Sequence, residues 1–107
     1  MIRAILFAAS VLACTSSSST GISASDLSCP SDSTLTYASF GSELLSDHCL
    51  SCHASKQTPS LATQAAVKTY KSTIISVAVT SSAMPPDGSI TIEERELLGE
   101  WLTCGAP

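Results

Sequence analysis

The residues with the clearest chemical potential are Cys49, Cys52 and His53, which lie within the run Cys-Leu-Ser-Cys-His. Two thiols three residues apart, followed at once by an imidazole, form the C-x-x-C-H signature of covalent haem attachment. The thiols can form thioether bonds to the two vinyl groups of one porphyrin. The adjacent histidine can present a ring nitrogen to the iron as an axial ligand. The motif therefore predicts one covalent haem c as the cofactor.

Three other chemistries also fit a pair of cysteines at this spacing. A disulfide or a buried thiol pair with an incidental histidine needs nothing further. A closed zinc site commonly has four ligands, and the sequence has no second Cys-x-x-Cys pair. A thioredoxin-like motif follows a β-strand, whereas the residues before Cys49 have helical spacing. The pattern favours haem and leaves these three alternatives open.

The first residues have the composition of an export signal. Arg3 supplies a short basic region, and the apolar run over 5–11 is too short to span a membrane. The letters VLAC, which end at Cys14, resemble a bacterial lipobox. We therefore expect residues 1–13 to be a signal peptide and Cys14 to carry lipid, in an exported, periplasmic protein anchored to a membrane. In the alternative, Cys14 is discarded as the end of a plain signal peptide.

Charge and length limit the classes of partner. The chain has 107 residues and a formal net charge of −4, with 5 Lys and Arg against 9 Asp and Glu. Phosphate binding needs clustered cations, so we expect no nucleic-acid partner. Residues 14–28 are rich in serine and predict a flexible tether between the lipid and the domain. Residues 29–107 are sufficient for one small domain with a thin core, of the kind that often needs a cofactor or a disulfide.

The remaining cysteines suggest a crosslink. Lipid at Cys14 and haem at the C-x-x-C pair would leave Cys29 and Cys104, one near each end of the domain. An oxidising compartment permits a disulfide between them. Closing a loop of this length would stabilise the fold by about 4–5 kcal/mol on the loop-entropy model. The alternative is two buried thiols.

Helical spacing dominates the domain. From Tyr37 to His48, apolar residues recur at helical intervals after a candidate N-cap at Thr36. Residues 62–80 predict one broken helix or two short helices, although their β-branched content also suits a buried strand. A capping box at Thr91 and Glu94 predicts a second long helix. We expect four residues to form its buried face and a glycine to end it: Leu97, Leu98, Trp101, Leu102 and Gly105.

A methionine lies in the loop that precedes this last helix. Met84 is followed by Pro85 and Pro86, and the first of these prolines restricts the backbone of Met84 to extended conformations. A loop stiffened in this way is suited to holding a thioether at one point in space.

Taken together, these residues resemble the class I c-type cytochromes over about residues 29–107. The shared features are a helix with Gly41 eight residues before the first motif cysteine, the C-x-x-C-H motif, a methionine loop and a last helix that bears Trp101. The resemblance implies an all-α, small cytochrome c-like fold whose first and last helices cross over a covalent haem. It also implies His53 as proximal and Met84 as distal iron ligand, with His48 as a rival, although most methionines are ordinary core residues.

The resemblance implies a function as well. With both axial sites filled by protein, the iron would carry single electrons between redox partner proteins and would not act as an enzyme. One alternative is a haem protein with an open distal site, such as a peroxidase or gas sensor. Another is a haem-free thiol-disulfide module in which Cys49 and Cys52 cycle.

Overall fold

A computed structural model describes residues 19–53 and 58–107 of the chain. The predicted signal segment 1–13 and the predicted lipid attachment at Cys14 lie outside the described residues. No helix within the described ranges is long and apolar enough to cross a membrane.

The described chain is all-α, as the sequence predicts. Among its residues there is no strand, and one isolated bridge pairs Ser19 with Ser81. The helices are connected by short turns and loops. Their bounds are Ala24–Asp26 for a 3-10 turn, Tyr37–Gly41 for the first π turn, Ser42–His48 for α1, Leu50–His53 for α2, Gln64–Thr69 for α3, Lys71–Ile74 for α4, Ile75–Val79 for the second π turn, and Ile92–Thr103 for α5.

The predicted N-cap of the first helix is confirmed. Thr36 Oγ1 accepts a hydrogen bond from the Ser39 amide at 3.0 Å, and the Thr36 amide donates back to Ser39 Oγ at 3.1 Å. The helix then opens with a π turn, because the Gly41 amide donates to the Thr36 carbonyl five residues earlier at 3.0 Å. The chain continues through α1 directly to Cys49.

The middle of the chain is a broken helix, and the strand alternative is wrong. Thr63 caps α3 by accepting from the Ala66 amide at 3.1 Å. Tyr70, with φ −103° and ψ 18°, interrupts the helical path between α3 and α4. The β-branched run after α4 forms the second π turn, which buries Ala78 and Val79. Burial on a helical face therefore outweighs the strand preference of these residues.

The last helix has the predicted start and end. Thr91 and Glu94 form the capping box, and Gly105 adopts φ +96° just beyond Cys104. The predicted buried face needs one correction, because Leu97 is 41 % exposed. The buried residues are Arg95, Leu98, Gly99, Trp101 and Leu102. Four of these positions follow the spacing i, i+3, i+4, i+7, and Leu97 lies outside that stripe.

The first π turn and α5 meet in a close contact between Gly41 and Trp101, and we call this contact the helix crossing. A Cβ atom placed on Gly41 would lie 3.0 Å from Trp101 Cε2 and closer still to Cζ2 and Cη2. The Trp101 ring is fully buried and packs edge-on against Phe40, with ring centroids 5.9 Å apart. Glycine is therefore required here by the close approach of the two segments rather than by its own backbone conformation.

The described part of the predicted tether packs against the domain. Thr20 Oγ1 donates to the Val79 carbonyl at 2.6 Å, and Leu27 packs on the core next to Gly99. Ile22 and Leu27 are the apolar side chains by which this stretch contacts the core, while most of residues 19–28 are exposed.

A disulfide joins Cys29 to Cys104, as the cysteine count favoured. The two Cα atoms lie 4.9 Å apart and the residues are 75 positions apart in sequence. The bond ties the segment before the first helix to the C-cap of α5. It therefore links the two ends of the domain covalently.

Candidate functional site

A cavity of about 720 Å³ lies at the centre of the domain. All four residues that the sequence nominated for cofactor binding line it: Cys49, Cys52, His53 and Met84. Most of its wall is apolar and comes from α1, α3, α4, α5 and the loop before α3, with Leu45, Leu61, Val67, Ile74, Leu98 and Trp101 among the lining residues. The volume falls in the range of about 300–1,000 Å³ that is typical of sites for small molecules and prosthetic groups.

His53 is held with one ring nitrogen turned to the backbone. Its Nδ1 lies 2.9 Å from the carbonyl oxygen of Pro59. A carbonyl oxygen accepts hydrogen bonds and cannot donate, so Nδ1 carries the proton and the neutral ring has its lone pair on Nε2. A second bond, from the Leu61 amide to the His53 carbonyl at 2.7 Å, fixes the backbone on the same side. His53 lines the cavity, and its Nε2 atom is therefore available as a ligand or a hydrogen-bond acceptor.

The two motif cysteines have different environments. Cys49 follows α1, and its amide donates to the Leu45 carbonyl at 2.8 Å. Burial raises the pKa of the Cys49 thiol from 9.0 to about 11. Cys52 is exposed, one helical turn later. Neither cysteine takes part in a disulfide. At neutral pH, Cys49 is therefore a protonated thiol and a weak nucleophile.

Met84 is anchored by its backbone at the edge of the cavity. Its amide donates to the Val77 carbonyl at 2.8 Å, and its carbonyl accepts from Arg95 Nη1 at 2.9 Å. The residue is 37 % exposed although it lines the cavity. The Met84 backbone is therefore held by two hydrogen bonds, and its thioether side chain lies between solvent and the apolar cavity.

Arg95 is a functional residue that sequence reasoning missed. It is buried on α5, and its Nη1 reaches the carbonyl oxygens of Ala78, Ser81 and Met84 at 2.6, 3.3 and 2.9 Å. Burial lowers the pKa of its guanidinium, which still remains charged. One signal was available in the sequence, since Arg95 occupies the position three residues before Leu98 on the apolar stripe.

His48 is tied to the start of α5. Its Nε2 donates to Glu94 Oε2 at 3.3 Å, and its Nδ1 lies 2.8 Å from Ser89 Oγ. Both ring nitrogens therefore have partners outside the cavity, which disfavours His48 as the rival ligand. The contact links the residue before Cys49 to the capping box of the last helix.

The predicted cofactor, one covalent haem c, is contradicted. In residues 19–53 and 58–107, no group of three or more His, Cys, Asp or Glu side chains could hold a metal ion. The cysteines that are joined are Cys29 and Cys104. The motif therefore predicted correctly which residues lie at the cavity, but the prediction that they hold a haem c was wrong.

Comparisons of the chain with protein-family models, with curated proteins and with solved structures found no match.

Proposed function

We propose that this protein is a one-electron carrier with the architecture of the class I c-type cytochromes. The observation that carries the proposal is the convergence of Cys49, Cys52, His53 and Met84 on one apolar cavity. These residues come from two separate parts of the chain, and a cavity lined by apolar side chains with a few polar groups is typical of a site for a prosthetic group. The class of group that suits such walls is flat, largely apolar and redox-active.

The crossing of Gly41 and Trp101 supports the same architecture. It brings the helix that leads into Cys49 against the helix that holds the Met84 loop. The cavity therefore has His53 and Met84 on segments that are fixed independently of each other. His53 supplies an imidazole with its lone pair on Nε2 and Met84 supplies a thioether, so two electron-rich side chains lie among the apolar walls.

The environment of Cys49 argues against the thiol-disulfide alternative. A cysteine that attacks disulfides at neutral pH has a lowered pKa, whereas burial raises the pKa of Cys49 to about 11. A protonated, partly buried thiol is better suited to anchoring a group in the cavity than to exchange with another protein.

The cellular setting is part of the proposal. The chain would be exported to the periplasm and tethered to a membrane through Cys14, and redox partner proteins would dock briefly at the exposed edge of the cavity, where Cys52 and Met84 reach solvent. Interfaces of that kind are small and wet, as suits rapid exchange of electrons.

The test is to express the full chain with its own export segment and purify it from the periplasm of a host that loads redox groups onto exported proteins. We expect a visible chromophore that changes reversibly with one electron, and an intact mass above that of the polypeptide. A colourless protein with the mass of the polypeptide, and with only two-electron thiol chemistry, would contradict the proposal.

Cysteine variants provide matched controls. Changing Cys49→Ser together with Cys52→Ser should abolish retention of the chromophore after denaturation. Changing Cys29→Ser together with Cys104→Ser should retain it, although the protein would be less stable. Loss of the chromophore to the same extent in both double variants would show that the effect comes from folding and not from the site.

A further inference from the structure

Arg95 is buried but is not among the residues that line the cavity. The residue is 4 % exposed, and the acceptors of its Nη1 are backbone carbonyls of the second π turn and of the Met84 loop. Because Nη1 carries two N–H groups, the short bonds to Ala78 at 2.6 Å and to Met84 at 2.9 Å are the principal ones. The guanidinium therefore connects α5, the second π turn and the loop at a single atom.

We propose that Arg95 is the positioning residue that fixes Met84 at the cavity. Any effect of Arg95 on electron transfer rests on the proposed function, whereas the contacts of Arg95 with Met84 do not depend on it. Met84 is bonded on both sides, through its amide to Val77 at 2.8 Å and through its carbonyl to Arg95. The first bond is to the turn and the second is to the last helix, so Arg95 sets the separation between them.

Other side chains would make this connection less well or not at all. Lysine also carries several N–H groups on one nitrogen, but its flexible side chain lacks the planar guanidinium that fixes the donor directions. An apolar side chain of similar length would leave the carbonyls of Ala78 and Met84 buried without their partner, which is costly for charge-assisted bonds. The loop would then hold Met84 through Val77 alone, and the thioether would no longer be held at one point.

The test measures Met84 directly in the full chain, with no group loaded in the cavity. Amide hydrogen exchange followed by NMR reports the protection of the Met84 amide, and a ¹³C-methyl label reports its side chain. In Arg95→Met we expect the Met84 amide to exchange about tenfold to hundredfold faster, as loss of a hydrogen bond from a charged donor implies. We also expect the methyl signal to move towards its position in an unstructured chain. Arg95→Lys should give intermediate values.

Two references separate positioning from general destabilisation. Ser33→Ala removes the bond from Ser33 Oγ to Glu100 Oε2, which is 2.7 Å long and lies at the other end of α5, and it should leave Met84 unchanged. The Leu98 amide within α5 reports global opening of the same helix. Unchanged exchange and an unchanged methyl signal at Met84 in folded Arg95→Met would overturn the inference.

If Arg95→Met does not fold, Arg95→Lys decides the question. Faster exchange at Met84 than at Leu98 supports the inference, and equal changes at both amides overturn it. A colourless parent protein would defeat the proposed function while leaving these measurements valid. In a coloured protein, Arg95→Lys should keep the chromophore and shift its reduction potential.

Discussion

The carbonyl oxygen of Pro59 lies 2.9 Å from His53 Nδ1 and fixes which nitrogen of that ring carries the proton. The partner is supplied by the loop that follows the motif, six residues later, and not by the motif itself. A backbone carbonyl suits this role because it cannot change protonation state or act as a donor. The same contact orients the ring and sets its tautomer.

The first prediction concerns this tautomer. When the His53 ring is neutral, it should exist as the Nδ1–H form, because the other form would place a lone pair against the Pro59 oxygen. Long-range ¹H–¹⁵N NMR of the unloaded full chain distinguishes the two nitrogens. His48 provides an internal comparison, since its Nε2 donates to Glu94 and it should show the opposite tautomer. A neutral His53 that carries its proton on Nε2 would contradict the assignment.

The second prediction concerns the helix crossing. Gly41→Ala should lower the free energy of unfolding by about 1–3 kcal/mol, because its Cβ would overlap the buried ring of Trp101. Urea denaturation measures the change. Ser46→Ala, at an exposed position on α1, is the matched control and should be neutral or slightly stabilising. Equal stability of the Gly41→Ala and parent proteins would show that the crossing is loose.

The third prediction concerns the thiol of Cys49. In a Cys52→Ser variant, alkylation of Cys49 should accelerate with pH up to about 11, where burial places its pKa. At neutral pH the reactive thiolate should be about 100-fold scarcer than for a thiol with the ordinary pKa of 9.0. Denaturant should restore ordinary reactivity. A plateau near pH 9 in the folded protein would contradict the burial argument.

The same shift predicts how Cys49 affects stability. The pKa of its thiol is raised in the folded state, so the folded protein holds this proton more tightly than the unfolded chain does. The contribution of the protonated thiol to the free energy of unfolding is therefore fully present below about pH 9, and it is lost as the pH rises towards about 11. As the pH rises from about 9 to about 11, the free energy of unfolding should fall less in Cys49→Ala than in the parent protein.

The sequence predicted what depends on near neighbours and missed what depends on packing. The caps at Thr36 and Thr91 are signalled by residues three positions away, and both are present. The Pro59 contact and the burial of Arg95 depend on how distant segments pack, for which a single sequence carries little signal. Leu97 shows the same limit, because apolar residues alone did not specify which side of α5 faces inward.

The cofactor prediction failed for a related reason. The spacing of Cys49, Cys52 and His53 brings the three residues onto neighbouring helical positions, and they do line one cavity together with Met84. A motif defines residue types and spacing. It does not define whether the side chains converge as metal ligands, which depends on how the folded chain packs around them.

The fourth prediction concerns Glu94, which joins the capping box to His48. Its Oε1 accepts from the Thr91 amide at 2.9 Å and its Oε2 accepts from His48 Nε2 at 3.3 Å. The hydrogen bond from the Thr91 backbone is the main cause that lowers the pKa of Glu94 below its ordinary value of 4.5. The ionised Glu94 side chain therefore stabilises the folded protein above about pH 4.5. This stabilisation is lost as the pH falls through the lower pKa that Glu94 has in the folded state.

Replacing Glu94 should reveal this dependence. Glu94→Gln should be less stable than the parent near neutral pH, and the difference should shrink at a pH well below about 4.5, where both side chains are uncharged. Thr91→Ala is the matched control. It removes the other half of the capping box and should cost about 1 kcal/mol, with a weaker pH dependence than Glu94→Gln, because the Thr91 backbone bond that mainly lowers the pKa of Glu94 remains. A stability difference between Glu94→Gln and the parent that is the same at both pH values would show that the charge of Glu94 does not hold the start of α5.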